Sequence, residues 1–337
     1  MNNLTYPDFI KKGDTIGICA PSDGNEGASD FARLDNGIKK MEEMGYKVIE
    51  SGSVRKSLNG RSADAKTRAD EFMEMVRNTE VKAIFSASGG DYLLEILPYL
   101  DFNEIKVNPK WFQGYSDNTG LVHTITTICD IATVYCNNFN DFGMEEWHES
   151  VSNNLKILQG QDIEQESYEK YQDGFYERVT GLEDYTLTKP VKWRNINTEG
   201  EIVVKGRTIG GCLDVLISLI GTKFDRTNTL IDKYKDDGII WYLESFNLPA
   251  EGLTLALWQL REAGWFNHTK GIVFGRPTFY DESASSTYEE VVLSVLGELD
   301  IPIILDADIG HKPPQFTMIN GGLGTLHSYD GKGKLIY

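Results

Sequence analysis

The 337-residue chain carries 33 Lys and Arg against 51 Asp and Glu, a formal net charge of −18, with 40% hydrophobic and 25% charged residues. That composition describes a globular protein long enough to form two cores. Its acidity argues against a polymeric nucleic-acid partner and an anionic membrane surface, since phosphates would be repelled rather than neutralised.

Met1-Asn2-Asn3-Leu4-Thr5-Tyr6-Pro7-Asp8 has neither a basic start nor an apolar core of signal-peptide length. Asp14–Ala20 reads as a buried strand, closed by Pro21-Ser22-Asp23-Gly24. Helical spacing over 28–44 places Phe31, Leu34, Ile38 and Met41 on one face. Tyr46–Ile49 is a second strand, 63–78 a second amphipathic helix, and Val81–Ser86 a third strand running into Ser88-Gly89-Gly90-Asp91. A fourth strand enters Gly114-Tyr115-Ser116-Asp117, a helix follows over Thr119–Cys129, and Ala132–Cys136 is a fifth strand. Alternating strands and helices imply a parallel sheet covered on both faces, with sites at the carboxyl ends of strands.

The expected fold is therefore α/β, with a nucleophile-bearing parallel-sheet domain over 1–160, whose character turns polar at a helix opened by Glu145–Glu149, a linker over 161–190, and a smaller mixed α/β domain over 191–337. In the last of these, Glu201–Gly206 reads as a strand before a Gly210-Gly211 turn and a helix over Leu213–Leu219. Gly238–Glu244, Gly271–Gly275 and Pro302–Leu305 read as strands, and Pro249–Ala263 and Tyr288–Leu299 as helices. No run of about 18 apolar residues occurs, so no membrane span is expected. Cys19, Cys129, Cys136 and Cys212 lack the CxxC spacing of a zinc site, and their apolar neighbours suggest buried thiols in a reducing cytoplasm.

Ser116 is the first candidate for chemistry. It sits on the turn between an apolar strand and a helix, where a hydroxyl is reachable and the first N–H groups of the helix could receive an oxyanion. Gly-x-Ser-x-Asn departs from Gly-x-Ser-x-Gly, so the turn alone is compatible with a structural role as well as a nucleophilic one. A serine nucleophile needs a base, usually an imidazole oriented by a carboxylate. Of five histidines, His123 lies about two turns along the following helix, His148 and His268 have surface-like neighbours, and His327 falls in an alternating terminal hairpin. His311 follows a buried strand and precedes Lys312-Pro313-Pro314, a rigid loop. Glu244 closes an apolar strand, a costly place for a carboxylate unless it is paired or functional.

Gly13–Ser22, Ser88-Gly89-Gly90-Asp91-Tyr92, Gly114-Tyr115-Ser116-Asp117, Gly206–Leu213, Leu243-Glu244, Val273-Phe274-Gly275-Arg276 and Gly310-His311 follow one another in an order and spacing that resemble the LD-carboxypeptidase family of serine peptidases. The resemblance spans nearly the whole chain. It implies a flavodoxin- or glutamine-amidotransferase-like amino-terminal domain carrying the nucleophile, a carboxyl-terminal domain supplying glutamate and histidine, and an active site between them. It further implies a Ser116–Glu244–His311 triad, with the N–H groups of Gly90 and Asp117 as oxyanion donors and Gly89 in the substrate turn. No metal or organic cofactor is implied.

Within the family two substrates compete: a murein tetrapeptide losing its terminal D-alanine, and a peptidyl- or aminoacyl-nucleotide cleaved at its amide. Pro190-Val191-Lys192-Trp193-Arg194 and Gly206–Cys212 resemble the microcin C self-immunity branch more closely, which implies Trp193 as a base-stacking loop residue; an ordinary packed tryptophan is the other reading of that position. Arg276, at a strand end, could pair with a substrate carboxylate or form a structural ion pair. Glu244-Ser245 and Asp91-Tyr92 depart from the family's Glu-Asp and Tyr-Gly, changes that bear on the pocket rather than the triad. The resemblance also implies a cytoplasmic homodimer. A binding protein that kept the fold without hydrolysis is the alternative of another class.

Overall fold

Thr15–Cys19 (β1), Lys47–Glu50 (β2), Val81–Ser86 (β3), Trp111–Gln113 (β4) and Thr133–Tyr135 (β5) are the five strands expected in the first half. The computed structural model describes residues 4–281 and 286–337. The strands form a sheet in the order β5-β4-β3-β1-β2, all parallel, because each crossover to the next is too long for a hairpin and is built around helical segments. β1, Thr-Ile-Gly-Ile-Cys, is buried at every position, as a central parallel strand must be. Helix Ala65–Arg77 is capped by Asp64, whose carboxylate accepts from Thr67 N–H at 3.0 Å.

Two compact units emerge. The first comprises the chain up to Asp162, Tyr176–Tyr185 and Thr317–Asn320; the second comprises Ile163–Phe175, Thr186–Phe316 and Gly321–Tyr337. The expectation of one linker over 161–190 is too simple, since that stretch is shared between the units. Met318–Asn320 belongs with the first unit for a concrete reason: it pairs antiparallel with β5 and covers an edge that would otherwise expose unpaired N–H and C=O groups. The polar helix begins at Glu149 rather than Glu145, with the His148 ring accepting from Ser150 N–H at 3.1 Å as its cap.

The second unit is built on an eight-stranded mixed sheet. Ile202–Cys212, Ile239–Glu244, Thr269–Gly275 and Ile303–Ala307 run parallel at its centre, and Leu323–Tyr329 with Lys332–Ile336 extends it as an antiparallel hairpin. The expected turn at Gly210-Gly211 is absent; one strand continues through it to Cys212. Glycine serves there for close approach, because a Cβ on Gly210 would lie 1.6 Å from the Tyr242 carbonyl oxygen of the neighbouring strand. The helix expected over Leu213–Leu219 is a single turn, Leu213–Leu216.

Candidate active site

β4 delivers Ser116 into a left-handed conformation, φ +65, that costs a non-glycine residue on the order of 1–2 kcal/mol. The turn is held against that strain from several sides. Ser116 N–H donates to the Tyr135 hydroxyl at 3.2 Å, and Thr119 Oγ1 donates to the Ser116 carbonyl at 2.7 Å. The Asn118 amide donates to the Ser88 and Tyr115 carbonyls at 2.9 and 3.1 Å. Helix Thr119–Cys129 follows at once. A strand, a strained serine turn and a helix have the layout of a nucleophile elbow, and Asn118 here does the bracing in the place where that motif usually carries glycine.

The double-glycine turn lies against the elbow. A Cβ on Gly89 would sit 3.2 Å from Ser116 Oγ, so the Gly89 backbone flanks that hydroxyl directly. Gly90 has φ +151, and a Cβ there would fall 2.3 Å from Ser22 Oγ, so the turn admits no side chain. Asp117, the residue after Ser116, is buried at 4% exposure. Its carboxyl is lifted to about 6 by burial and by nearby Asp91, against the pull of the Ser22 hydroxyl, the Leu93 N–H and Arg68.

In the second unit Glu244 is fully buried at the end of its strand, and its Oε2 lies 3.0 Å from His311 Nδ1. A carboxylate at this distance accepts from Nδ1–H and holds the imidazole in that tautomer. The pairing of residues 67 positions apart accounts for the buried glutamate that the sequence flags as costly.

For Trp193 and Arg276 the packing and ion-pair readings are the ones the structure forms. Trp193 is 2% exposed; its indole N–H donates to Asp308 Oδ2 at 2.9 Å, and its ring packs at 5.5 Å from Phe316. A ring so enclosed is a packing element and presents no face for stacking on a base. Arg276, 3% exposed, donates to Asp308 Oδ1 at 2.9 Å and to the carbonyls of Asp306 and Lys312 at 3.2 and 2.9 Å, over the Tyr171 ring. Of its two expected readings the ion pair is the one formed. Both residues serve the loop that bears His311.

An aromatic surface beside His311 escaped the sequence reading. Phe246 packs 4.5 Å from the imidazole, Phe279 lies 5.1 Å from Phe246, and Phe175 stacks on Phe279 at 5.7 Å. Phe175 and Phe279 are 59% and 53% exposed, a large apolar area for a protein surface. Asp214 steadies it by accepting from Phe246 and Asn247 N–H groups at 3.0 and 2.9 Å. Three phenylalanines on separate loops carry no periodic signal; only the position of Phe246, two residues past Glu244, hinted at it.

A serine turn after a strand of the first sheet and, within the second unit, a buried glutamate–histidine pair are residue types that serine hydrolases use. Residues 16–136 match the LD-carboxypeptidase N-terminal domain and residues 205–326 the LD-carboxypeptidase C-terminal domain. The chain belongs to the LD-carboxypeptidase family of serine peptidases. It is 27% identical over 327 residues to the microcin C7 self-immunity protein MccF of Escherichia coli, covering 91% of this chain and 88% of that protein. It is also 27% identical over 332 residues to a probable murein peptide carboxypeptidase of Bacillus subtilis strain 168, covering 97% and 93%. A solved structure of MccF in complex with aspartyl sulfamoyl adenosine is similar across 99% of this chain and 98% of that one, with TM-score 0.79 and 25% identity. Among the described residues, no helix is long and apolar enough to cross a membrane.

Proposed function

We propose that this peptidase cleaves the amide of an aminoacyl- or peptidyl-nucleotide through an acyl-enzyme. Ser116 is the nucleophile, His311 the base that takes its proton, and Glu244 the group that orients the imidazole and stabilises its charge. The N–H groups of Gly90 and Asp117 receive the oxyanion, each worth about 100- to 1000-fold in rate. His311 then returns the proton to the leaving amine, and water releases the acyl group from Ser116 by the reverse sequence.

The observation that carries the substrate class is the aromatic surface of Phe175, Phe246 and Phe279 beside His311. A flat, π-faced leaving group such as a nucleobase gains about 1–3 kcal/mol from such stacking, whereas D-alanine has nothing to offer it. MccF has been captured with aspartyl sulfamoyl adenosine, which supports the same class here. The murein reading keeps support from the equally identical B. subtilis relative. A homodimer and a cytoplasmic site of action belong to this proposal as well; the four free, buried cysteines fit a reducing compartment.

The test incubates the protein and its Ser116→Ala variant with aspartyl sulfamoyl adenosine and, separately, with an L,D-tetrapeptide ending in D-alanine. Release of product from the nucleotide conjugate by the parent alone is expected. Cleavage of the tetrapeptide only would replace the nucleotide reading with the murein one. Equal, background-level release by parent and variant from both would defeat the hydrolase reading.

A further inference from the structure

One buried hydroxyl joins the loops that carry the two oxyanion donors, and neither the triad nor those donors use it. Ser22, fully buried after β1, donates from Oγ to Asp117 Oδ2 at 2.5 Å and accepts from Tyr92 N–H at 3.3 Å. The same carboxylate oxygen accepts from Leu93 N–H at 2.8 Å. The Asp117 side chain is thus clasped to the double-glycine loop on one side, while Asn118 clasps the Ser116 turn to Ser88 on the other.

The surrounding charges brace this junction. Arg68, itself buried, donates to the carbonyls of Pro21 and Tyr92 at 2.8 and 3.1 Å and pairs with Glu95 at 2.6 Å. Asp23 N–H donates to the Gly89 carbonyl at 3.3 Å. Asp91 and Arg68 are the charged groups that act on the Asp117 carboxyl, with opposite signs.

An oxyanion hole works only when both donors lie about 2.7–3.1 Å from the developing charge. Gly90 and Asp117 come from different loops, so the distance between their N–H groups is set by whatever ties the loops together. We propose that the Ser22 hydroxyl and the Asp117 side chain are positioning residues of the oxyanion hole, their hydrogen bond setting the spacing between the Gly90 and Asp117 N–H groups. The proposal rests on the hydrolase reading above. A buried hydrogen bond to a carboxylate is strong and short enough for this duty. Its loss lets the loops part by tenths of an ångström, which weakens transition-state binding more than substrate binding.

The experiment measures kcat and KM on the substrate that the parent cleaves, for Ser22→Ala, Asp117→Ala (which removes the acceptor and keeps the backbone N–H) and the double variant, with melting temperatures recorded alongside. Each single variant is expected to lower kcat about 10- to 100-fold with KM within threefold, and the double to fall no further than the worse single, since both remove one shared interaction. Loss of stability alone would not produce that kcat-only, non-additive pattern. An active parent with both single variants within twofold of its kcat overturns the proposal, as do effects that multiply in the double. If Ser22→Ala fails to fold, Asp117→Ala decides alone by the same twofold limit. A parent indistinguishable from Ser116→Ala defeats the hydrolase reading instead, and this proposal with it.

Discussion

Replacing Arg276 with methionine tests the physical role of the Arg276–Asp308 pair. The substitution keeps much of the apolar stem and deletes the cation. Arg276 is 3% exposed and Asp308 fully buried, 2.9 Å apart, so the change leaves the carboxylate with the Trp193 N–H as its remaining side-chain donor. Breaking a buried pair from one side costs about 3–5 kcal/mol. The carbonyls of Asp306 and Lys312 lose their donor too, so the upper half of that range is expected. For a unit of about 150–250 residues each kcal/mol moves the melting temperature by roughly 2–4 °C, giving a fall of roughly 8–20 °C in the transition of the second unit. Burial already raises the Asp308 carboxyl, with Arg276 the foremost group opposing that rise. Without the guanidinium the folded-state pKa climbs further above its unfolded value, so the deficit grows as pH rises and is smaller at pH 5 than at pH 8. Scanning calorimetry at both values, with kcat measured alongside, is the assay. The loop that bears His311 is loosened in the same variant, so kcat falls as well. A melting temperature within about 2 °C of the parent, together with a tenfold rise in KM for a carboxylate-bearing substrate, would refute this account and restore substrate pairing as the role of Arg276.

Three further outcomes are expected. Trp193→Phe removes a hydrogen bond to a buried carboxylate, so it should cost about 2–4 kcal/mol in urea unfolding while leaving KM for the nucleotide conjugate within twofold; an unchanged stability with a raised KM would return this ring to the binding surface. Phe175→Ala should raise KM for the nucleotide conjugate about 5- to 100-fold through lost stacking, with any tetrapeptide turnover unaffected, as read by steady-state kinetics; equal effects on both substrates would contradict a base-stacking role. The Asp117 carboxyl is raised from 3.8 to about 6, so the folded state holds this proton to higher pH than the unfolded chain does, and ionising it costs stability. Between pH 4 and 7.5 the parent should therefore lose up to about 3 kcal/mol relative to Asp117→Asn, visible as a widening gap in melting temperature, whereas a gap constant with pH would count against it.

Much of the fold was legible because its causes are local. Apolar runs such as Thr15–Cys19 and Ile239–Glu244 can only be strands buried on both faces, and 3.6-residue spacing marks the helices Gly27–Glu43 and Ala65–Arg77 within a residue or two. Ser116 and Glu244 stood out for the same reason, each at the end of an apolar strand where its chemistry is out of keeping with its neighbours. The strand running through Gly210-Gly211 was misread because glycine marks a turn and a close approach alike, and only the neighbouring Tyr242 carbonyl distinguishes them.

Local sequence suffices to mark the chemically conspicuous residues and their places along each element. Their partners are set by the folding of the chain as a whole. His311 acquires Glu244 from 67 residues away, while Asp308 engages both Trp193 and Arg276 and so removes them from the surface. Met318–Asn320 joins the first sheet because β5 offers an open edge. Such choices turn on burial and on competition for hydrogen bonds among distant segments, and a buried carboxylate claims the nearest donors in space whatever their distance along the chain.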